Sequence, residues 1–105
     1  MAMQWMYSNG YSTAEFSTAI TFEDDTTLTE YQKDLVIVAT ASAASKSLIL
    51  GLANGQPMII ANVGGTNAFT AKNLSTDTGT SIATGKVALV IGSTTANGTK
   101  IYVLN

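Results

Sequence analysis

Most of the strongly apolar segments of this chain lack the alternation of a strand that has one face in water. Such a strand alternates apolar with polar residues, whereas a strand covered on both faces reads as a continuous apolar run. Residues 16–22 alternate and place Phe16, Ile20 and Phe22 on one face. The other apolar segments are continuous and comprise residues 35–38, 48–50, 58–60, 87–91 and 101–104. Both faces of these strands therefore need cover.

Turn-forming residues divide the chain into short segments of β-branched and aromatic residues. Asn-Gly pairs, a strong hairpin signal between apolar runs, occur at 9–10, 54–55 and 97–98. Parallel strands need long crossovers, usually helical, and the chain leaves no room for them. We therefore expect an all-β fold, a small antiparallel β-sandwich or barrel-like module that ends in a hairpin around Asn97-Gly98. It has about seven short strands, at residues 16–22, 34–40, 47–52, 57–63, 67–72, 86–91 and 100–104.

Two segments between these strands are ambiguous. Thr27-Leu28-Thr29-Glu30 is a weak match to a capping box and predicts a short helix through Gln32. Residues 39–45, with the sequence ATASAAS, are compatible with a helix by propensity. Because they are small residues that link two strong strands, we favour a loop.

The composition narrows the possible functions. Charged residues make up 11% of the 105 residues, against roughly 25% in typical domains, and a surface so poor in charge suits burial in an assembly. The chain has no Cys, His or Arg, which excludes disulfides and thiolate metal sites and removes the commonest general base. With a net charge of −2, we expect no nucleic-acid binding, no cofactor and no catalysis. The apolar runs are too short to span a membrane, and the N-terminus lacks the pattern of a signal peptide.

The continuous apolar runs favour a homo-oligomer. One domain of this size forms two layers, so each sheet has an outer face, and another copy of the chain is the simplest cover for it. We expect this interface on the terminal hairpin, at Val87, Leu89, Ile91, Ile101 and Val103. The alternative is that these segments are central strands of a sandwich with small outward residues, such as Ala39 and Ala88.

Residues 31–105 carry a family resemblance. An Asp-led apolar strand (DLVIV, 34–38) precedes a Leu-rich strand (LIL, 48–50) and a Gly-Gln turn into a strand followed by Asn (GQPMIIAN, 55–62). An NAFT strand, a GKVAL strand and the terminal hairpin follow. This order resembles the compact C-terminal β-module of phage fibre proteins, and it is most similar to short head-fibre or capsid-decoration proteins of tailed phages.

The resemblance implies a trimer on the virion, either a capsid decoration or a piece of a head fibre, without enzymatic activity. Residues 31–105 would form the compact β-module. Residues 1–30 would form an N-terminal arm and the first strand, with a possible attachment segment for a capsid or fibre protein. The alternative function is a carbohydrate-binding, receptor-recognition module of a fibre, which would bind a surface glycan.

The first residues concentrate side chains that are typical of interface hot spots, namely Met3, Trp5, Met6, Tyr7 and Tyr11. One interpretation is an anchor that docks on the capsid or fibre partner. The other is a first strand or arm that packs on its own oligomer, with Trp5 completing the core.

Two polar segments are weaker candidates. Glu23-Asp24-Asp25 offers carboxylates to a hard cation, but it lacks the spacing of an EF-hand loop, and we favour a solvated turn. Residues 73–80 offer amides, hydroxyls and one carboxylate to a sugar, on which Tyr11 or Tyr31 would stack. The alternative is that this loop is a plain polar connection that binds no ligand, and we favour this alternative.

Overall fold

The computed structural model describes residues 17–104, with Ser17 described by its backbone alone. The described chain is all-β, as predicted, and its one helical element is a turn of 3-10 helix at Glu30–Gln32. Each predicted segment overlaps a strand, and two short strands, β2 and β7, were not predicted. The strands are β1 Ser17–Phe22, β2 Thr26–Thr27, β3 Val36–Ala41, β4 Lys46–Ile49, β5 Pro57–Asn62, β6 Phe69–Lys72, β7 Thr80–Ile82, β8 Val87–Ile91 and β9 Lys100–Leu104.

The strands form two mixed sheets, so the prediction of mostly antiparallel pairing is wrong. Sheet A has the order β1-β3-β5-β8-β9, and sheet B has the order β2-β4-β6-β7. The pairs β1-β3, β3-β5, β2-β4 and β4-β6 are parallel, whereas β7, β8 and β9 join antiparallel. Parallel pairing is possible without helices because the chain alternates between the sheets. β2 serves as the crossover between β1 and β3, and β4 serves as the crossover between β3 and β5, whereas β6 and β7 together lie between the antiparallel pair β5 and β8.

The parallel part of the fold is a short solenoid. Val36 pairs with Ile59 in sheet A and Lys46 pairs with Phe69 in sheet B, at the same offset along the sequence. The connections consequently gather at two ends of the sandwich. The loop end, as we call it, carries the longer ones, which are residues 28–35, 50–56, 73–79 and 92–99.

The core lies between the two sheets and takes alternate residues from their strands. In β3 the inward residues are Ile37, Ala39 and Ala41, and in β8 they are Ala88 and Val90. They pack with buried side chains of both sheets, among them Leu48, Met58, Ile60, Phe69 and Ile82. The rings of Phe22 and Phe69 meet edge to face, with centroids 5.4 Å apart. Full burial of each large side chain contributes about 1.5–3 kcal/mol.

The turn signals had different outcomes at the two described Asn-Gly pairs. The terminal hairpin is confirmed, because β8 and β9 pair antiparallel and Asn97, with φ 56°, lies in their connection. Asn54-Gly55 instead joins β4 in sheet B to β5 in sheet A, so it forms no hairpin.

The short helix begins later than predicted, at Glu30. Thr29 is its N-cap residue, and Thr29 N donates a 2.9 Å hydrogen bond to Gln32 Oε1. In the ATASAAS segment, β3 runs through Ala41 and residues 42–45 form the turn.

The predicted division of the chain falls inside the sandwich. β1 and β2, from the predicted N-terminal arm of residues 1–30, pair with β3 and β4 of the predicted module. Residues 17–30 therefore share the two sheets with the rest of the described chain.

Candidate functional site

The outer face of sheet A is apolar along most of its width. On β8 the outward residues are Val87, Leu89 and Ile91, and across the ladder Tyr102 lies opposite Leu89 and Leu104 lies opposite Val87. Leu89 is 37% exposed and Tyr102 is 55% exposed. We call this surface the apolar face, and it consists of Val36, Val38, Ile59, Ala61, Val87, Leu89, Ile91, Tyr102 and Leu104.

The outer face of sheet B is polar by comparison. Its outward residues are Thr27, Ser47, Ile49, Thr70, Lys72 and Ser81, and Ile49 is the one large apolar residue among them. Since the two sheets share one core, this difference is not a requirement of folding. Four of the five continuous apolar runs thus correspond to a sheet whose two faces are both apolar, with one of them turned outward, whereas the run at residues 48–50 belongs to sheet B.

The five residues predicted for the oligomer interface divide between the two faces of sheet A. Val87, Leu89 and Ile91 lie on the apolar face. Ile101 and Val103 point inward and pack against the core, because side chains alternate along β9. Their outward neighbours, Tyr102 and Leu104, were not in the predicted set, because the continuous apolar run 101–104 does not show which of its residues face the core. The predicted partner-binding residues Met3, Trp5, Met6, Tyr7 and Tyr11 lie outside the described residues.

The acidic cluster after β1 forms a turn that holds two strands of sheet B. Asp25 Oδ1 accepts a 2.9 Å hydrogen bond from Ser47 N, and Asp24 Oδ1 lies 3.8 Å from Lys46 Nζ. Within residues 17–104, no group of three or more acidic residues is arranged to hold a metal ion. The carboxylates of this turn therefore have a structural use.

The polar loop of residues 73–80 lines a cavity of about 120 Å³ at the loop end. The rest of its wall comes from β6, from the β8–β9 connection and from Ile101 of β9. Two hydrogen bonds fasten this wall: Asn97 N donates to Asp77 Oδ1 at 2.7 Å, and Thr78 N donates to Asn97 Oδ1 at 2.8 Å. Tyr31 is 94% exposed on another connection of the same end and does not line the cavity.

Two buried asparagines, for which the sequence predicted no structural role, organise the two ends of the sandwich. Asn62 Nδ2 donates to the carbonyls of Asn67 and Ile82, at 3.0 and 2.9 Å, on the end opposite the loop end. Asn73 makes the corresponding bonds at the loop end, to Leu52 and Ser93. Asn62 is the last residue of β5, in the sequence IIAN, and Asn73 directly follows β6, in the sequence FTAKN. A polar amide at the end of a buried strand is the signal that identifies them.

No described helix is both long enough and apolar enough to cross a membrane. Comparison of the chain with protein-family models, with curated proteins and with solved structures found no match.

Proposed function

We propose that this chain is a non-enzymatic structural protein of a tailed-phage particle, which acts as a homotrimer in the virion, as a capsid decoration or a head-fibre component. The observation that supports assembly is the apolar face. Apolar patches of this kind, on a sheet that already has a core on its other side, mark protein–protein contacts. The virion setting rests on the resemblance of residues 31–105 to the phage module.

Copies of the same chain are the partner that best fits this face. Its two most exposed residues, Tyr102 and Leu104, lie on the edge strand β9, opposite Leu89 and Val87 of β8. Lys100 is the only charged outward residue on the described strands of this sheet, and it lies at the start of β9. A face without a dominant charge has no need of a partner of opposite charge, so it can pair with itself.

The absence of catalytic activity is proposed from composition. Without His, Cys or Arg, an active site would have to be built from Ser, Thr, Lys, Tyr and the seven carboxylates. The described Asp77 has a structural role, because its two oxygens accept hydrogen bonds from Asn97 N and Leu74 N.

The mass of the full chain in solution tests assembly. Sedimentation equilibrium at micromolar concentration should give three times the protomer mass of 10.9 kDa. A protomer mass would contradict the proposal, and a dimer mass would refute the trimer while leaving the apolar face as an interface.

The place of the protein on a particle tests the virion setting. Mass spectrometry of purified virions from the phage that encodes the chain should detect it, and antibody labelling should place it on the head or its fibres. A variant that lacks residues 1–11 should keep the oligomer mass but lose attachment, if those residues are the anchor. Absence of the protein from virions would overturn the proposed setting without touching the assembly.

A further inference from the structure

The cavity at the loop end lies where the two sheets differ in width. Sheet A has five strands and sheet B has four, so β9 has no strand opposite it beyond β7. The inward side chain of Ile101 reaches the cavity there, and Thr80 of β7 lies on its other side. The opening is thus produced by the fold and does not depend on one mobile side chain.

The wall of this cavity is held in place before any ligand binds. Asp77 is 6% exposed, and its carboxylate accepts from Asn97 N at 2.7 Å and from Leu74 N at 3.1 Å. Gly79, with φ +76°, brings the loop against β6: a Cβ there would lie 2.6 Å from Thr70 Cγ2. Fixed polar groups cost little entropy when a ligand binds to them, which favours recognition.

Several polar groups of the lining keep free hydrogen-bonding capacity. Among the described residues, the hydroxyls of Thr78 and Thr80 have no hydrogen-bond partner, and neither has Asn97 Nδ2. Each carboxylate oxygen of Asp77 accepts one bond and can accept another. The cavity therefore offers donors and acceptors side by side.

This set of groups selects among ligand classes. A divalent cation needs several carboxylates, and Asp77 is the only one in the lining, beside Lys72. An anion would meet the carboxylate of Asp77, and an apolar ligand would find Ile101 as its only large apolar contact. A neutral molecule with several hydroxyls matches a lining that mixes donors and acceptors and contains one group of each charge.

We propose that this cavity binds one neutral sugar unit, through Asp77, Thr78, Thr80 and Asn97, with Ile101 against the ring. The cavity is open on one side and its volume of about 120 Å³ is small, so it has room for no more than a single ring, and the rest of a longer glycan stays outside. A ligand of that size with few apolar contacts binds with a Kd on the order of 1 mM. The site goes beyond the structural role, and it stands or falls independently of assembly.

An NMR titration of the uniformly ¹⁵N-labelled full chain tests this site. The probes are D-glucose, D-galactose and N-acetyl-D-glucosamine, with inorganic phosphate and glycerol as comparison solutes. At least one sugar should shift the backbone amides of Thr78, Gly79 and Asn97 in a saturable manner at millimolar concentration. Phosphate should leave them in place, and glycerol should need a much higher concentration.

Two variants and a matched control complete the test. Thr78→Val and Thr80→Val each remove one hydroxyl from the lining and should weaken sugar binding by about tenfold. Thr95→Val removes an exposed hydroxyl from the same connection as Asn97, outside the lining, and should leave the affinity unchanged. The spectrum of each variant reports directly whether it is folded. If a Thr→Val variant does not fold, Thr→Ser at the same position keeps the hydroxyl and should bind the sugar.

Three results would overturn the proposal. The first is that no sugar shifts these amides. The second is that phosphate or glycerol shifts them at the same concentration as the sugars, which would show adventitious binding only. The third is equal weakening by all three Thr→Val variants, or by none of them, which would place the site elsewhere.

Discussion

The side-chain amide of Asn73 pairs with both backbone groups of Leu52, as a residue in a neighbouring strand would. Its Oδ1 accepts from Leu52 N at 2.5 Å, and its Nδ2 donates to Leu52 O at 3.0 Å and to Ser93 O at 2.8 Å. Asn73 is 1% exposed, so these bonds are made away from water. One side chain thereby joins three connections of the loop end.

Replacing Asn73 should destabilise the protein strongly. Asn73→Ala leaves the N–H and C=O of Leu52 and the C=O of Ser93 without this partner, and an unpaired buried group costs about 1–3 kcal/mol. We expect the free energy of unfolding to fall by about 3 kcal/mol, measured by urea denaturation.

The matched control is Asn54→Ala. Asn54 bonds Thr94 N at 2.7 Å but is exposed, so water replaces its bonds and the loss should stay below about 1 kcal/mol. Equal losses would contradict this role for Asn73.

Two glycines have nearly the same left-handed backbone conformation but different surroundings, so replacing each one distinguishes backbone strain from steric crowding of an added Cβ. Gly79 has φ +76° and Gly85 has φ +79°, but an added Cβ meets Ala71 O at 2.7 Å at Gly79 and nothing within 4 Å at Gly85. Gly85→Ala should therefore cost about 1 kcal/mol for the left-handed conformation alone. Gly79→Ala should cost at least about 2 kcal/mol more, because the β6–β7 loop must move away. Thermal unfolding of both variants gives the difference, and similar transition temperatures would mean that the loop yields at no cost.

The fold class was predictable because it depends on local pattern. Short β-branched segments between turn residues identified the strands, and Asn97-Gly98 identified the terminal hairpin. The parallel pairing was not predictable, because it depends on which sheet each segment joins. In sheet B the coils of the solenoid carry no residue repeat that would reveal it: at equivalent positions Lys46 pairs with Phe69, and Leu48 pairs with Ala71.

The candidate interface was predictable in part, for a related reason. Continuous apolar runs showed that both faces of several strands are apolar, but a run such as residues 101–104 does not state which residues point to the core. That choice is set by the register with β8, which places Tyr102 opposite Leu89 and Ile101 opposite the buried Val90. The cavity lining combines residues from three strands and two connections, and no local pattern identifies such a combination.

Adjacent residues of β3 distinguish the core from the apolar face. Ile37 is fully buried and points inward, whereas Val38 points outward and is half-buried. Ile37→Ala should lower the free energy of unfolding by about 3–4 kcal/mol through the cavity that it leaves. Val38→Ala should cost less than about 1 kcal/mol at protein concentrations where the chain is monomeric, and more where it is assembled. A Val38→Ala cost that does not change with protein concentration would contradict the burial of this face between copies.

Leu89 gives the sharpest test of the apolar face, because it is exposed on that face and lies outside the core. Leu89→Lys places a charge where we expect another copy to pack, and it removes the burial of a leucine side chain worth about 1.5–3 kcal/mol. The concentration at which the oligomer dissociates should rise by at least about tenfold, measured by sedimentation velocity over a dilution series. Ser81→Lys is the matched control, since Ser81 points outward from sheet B and is also exposed. It adds the same charge to the other face and should leave the dissociation unchanged. If both variants weaken the oligomer alike, net charge is responsible and the copies do not meet through sheet A.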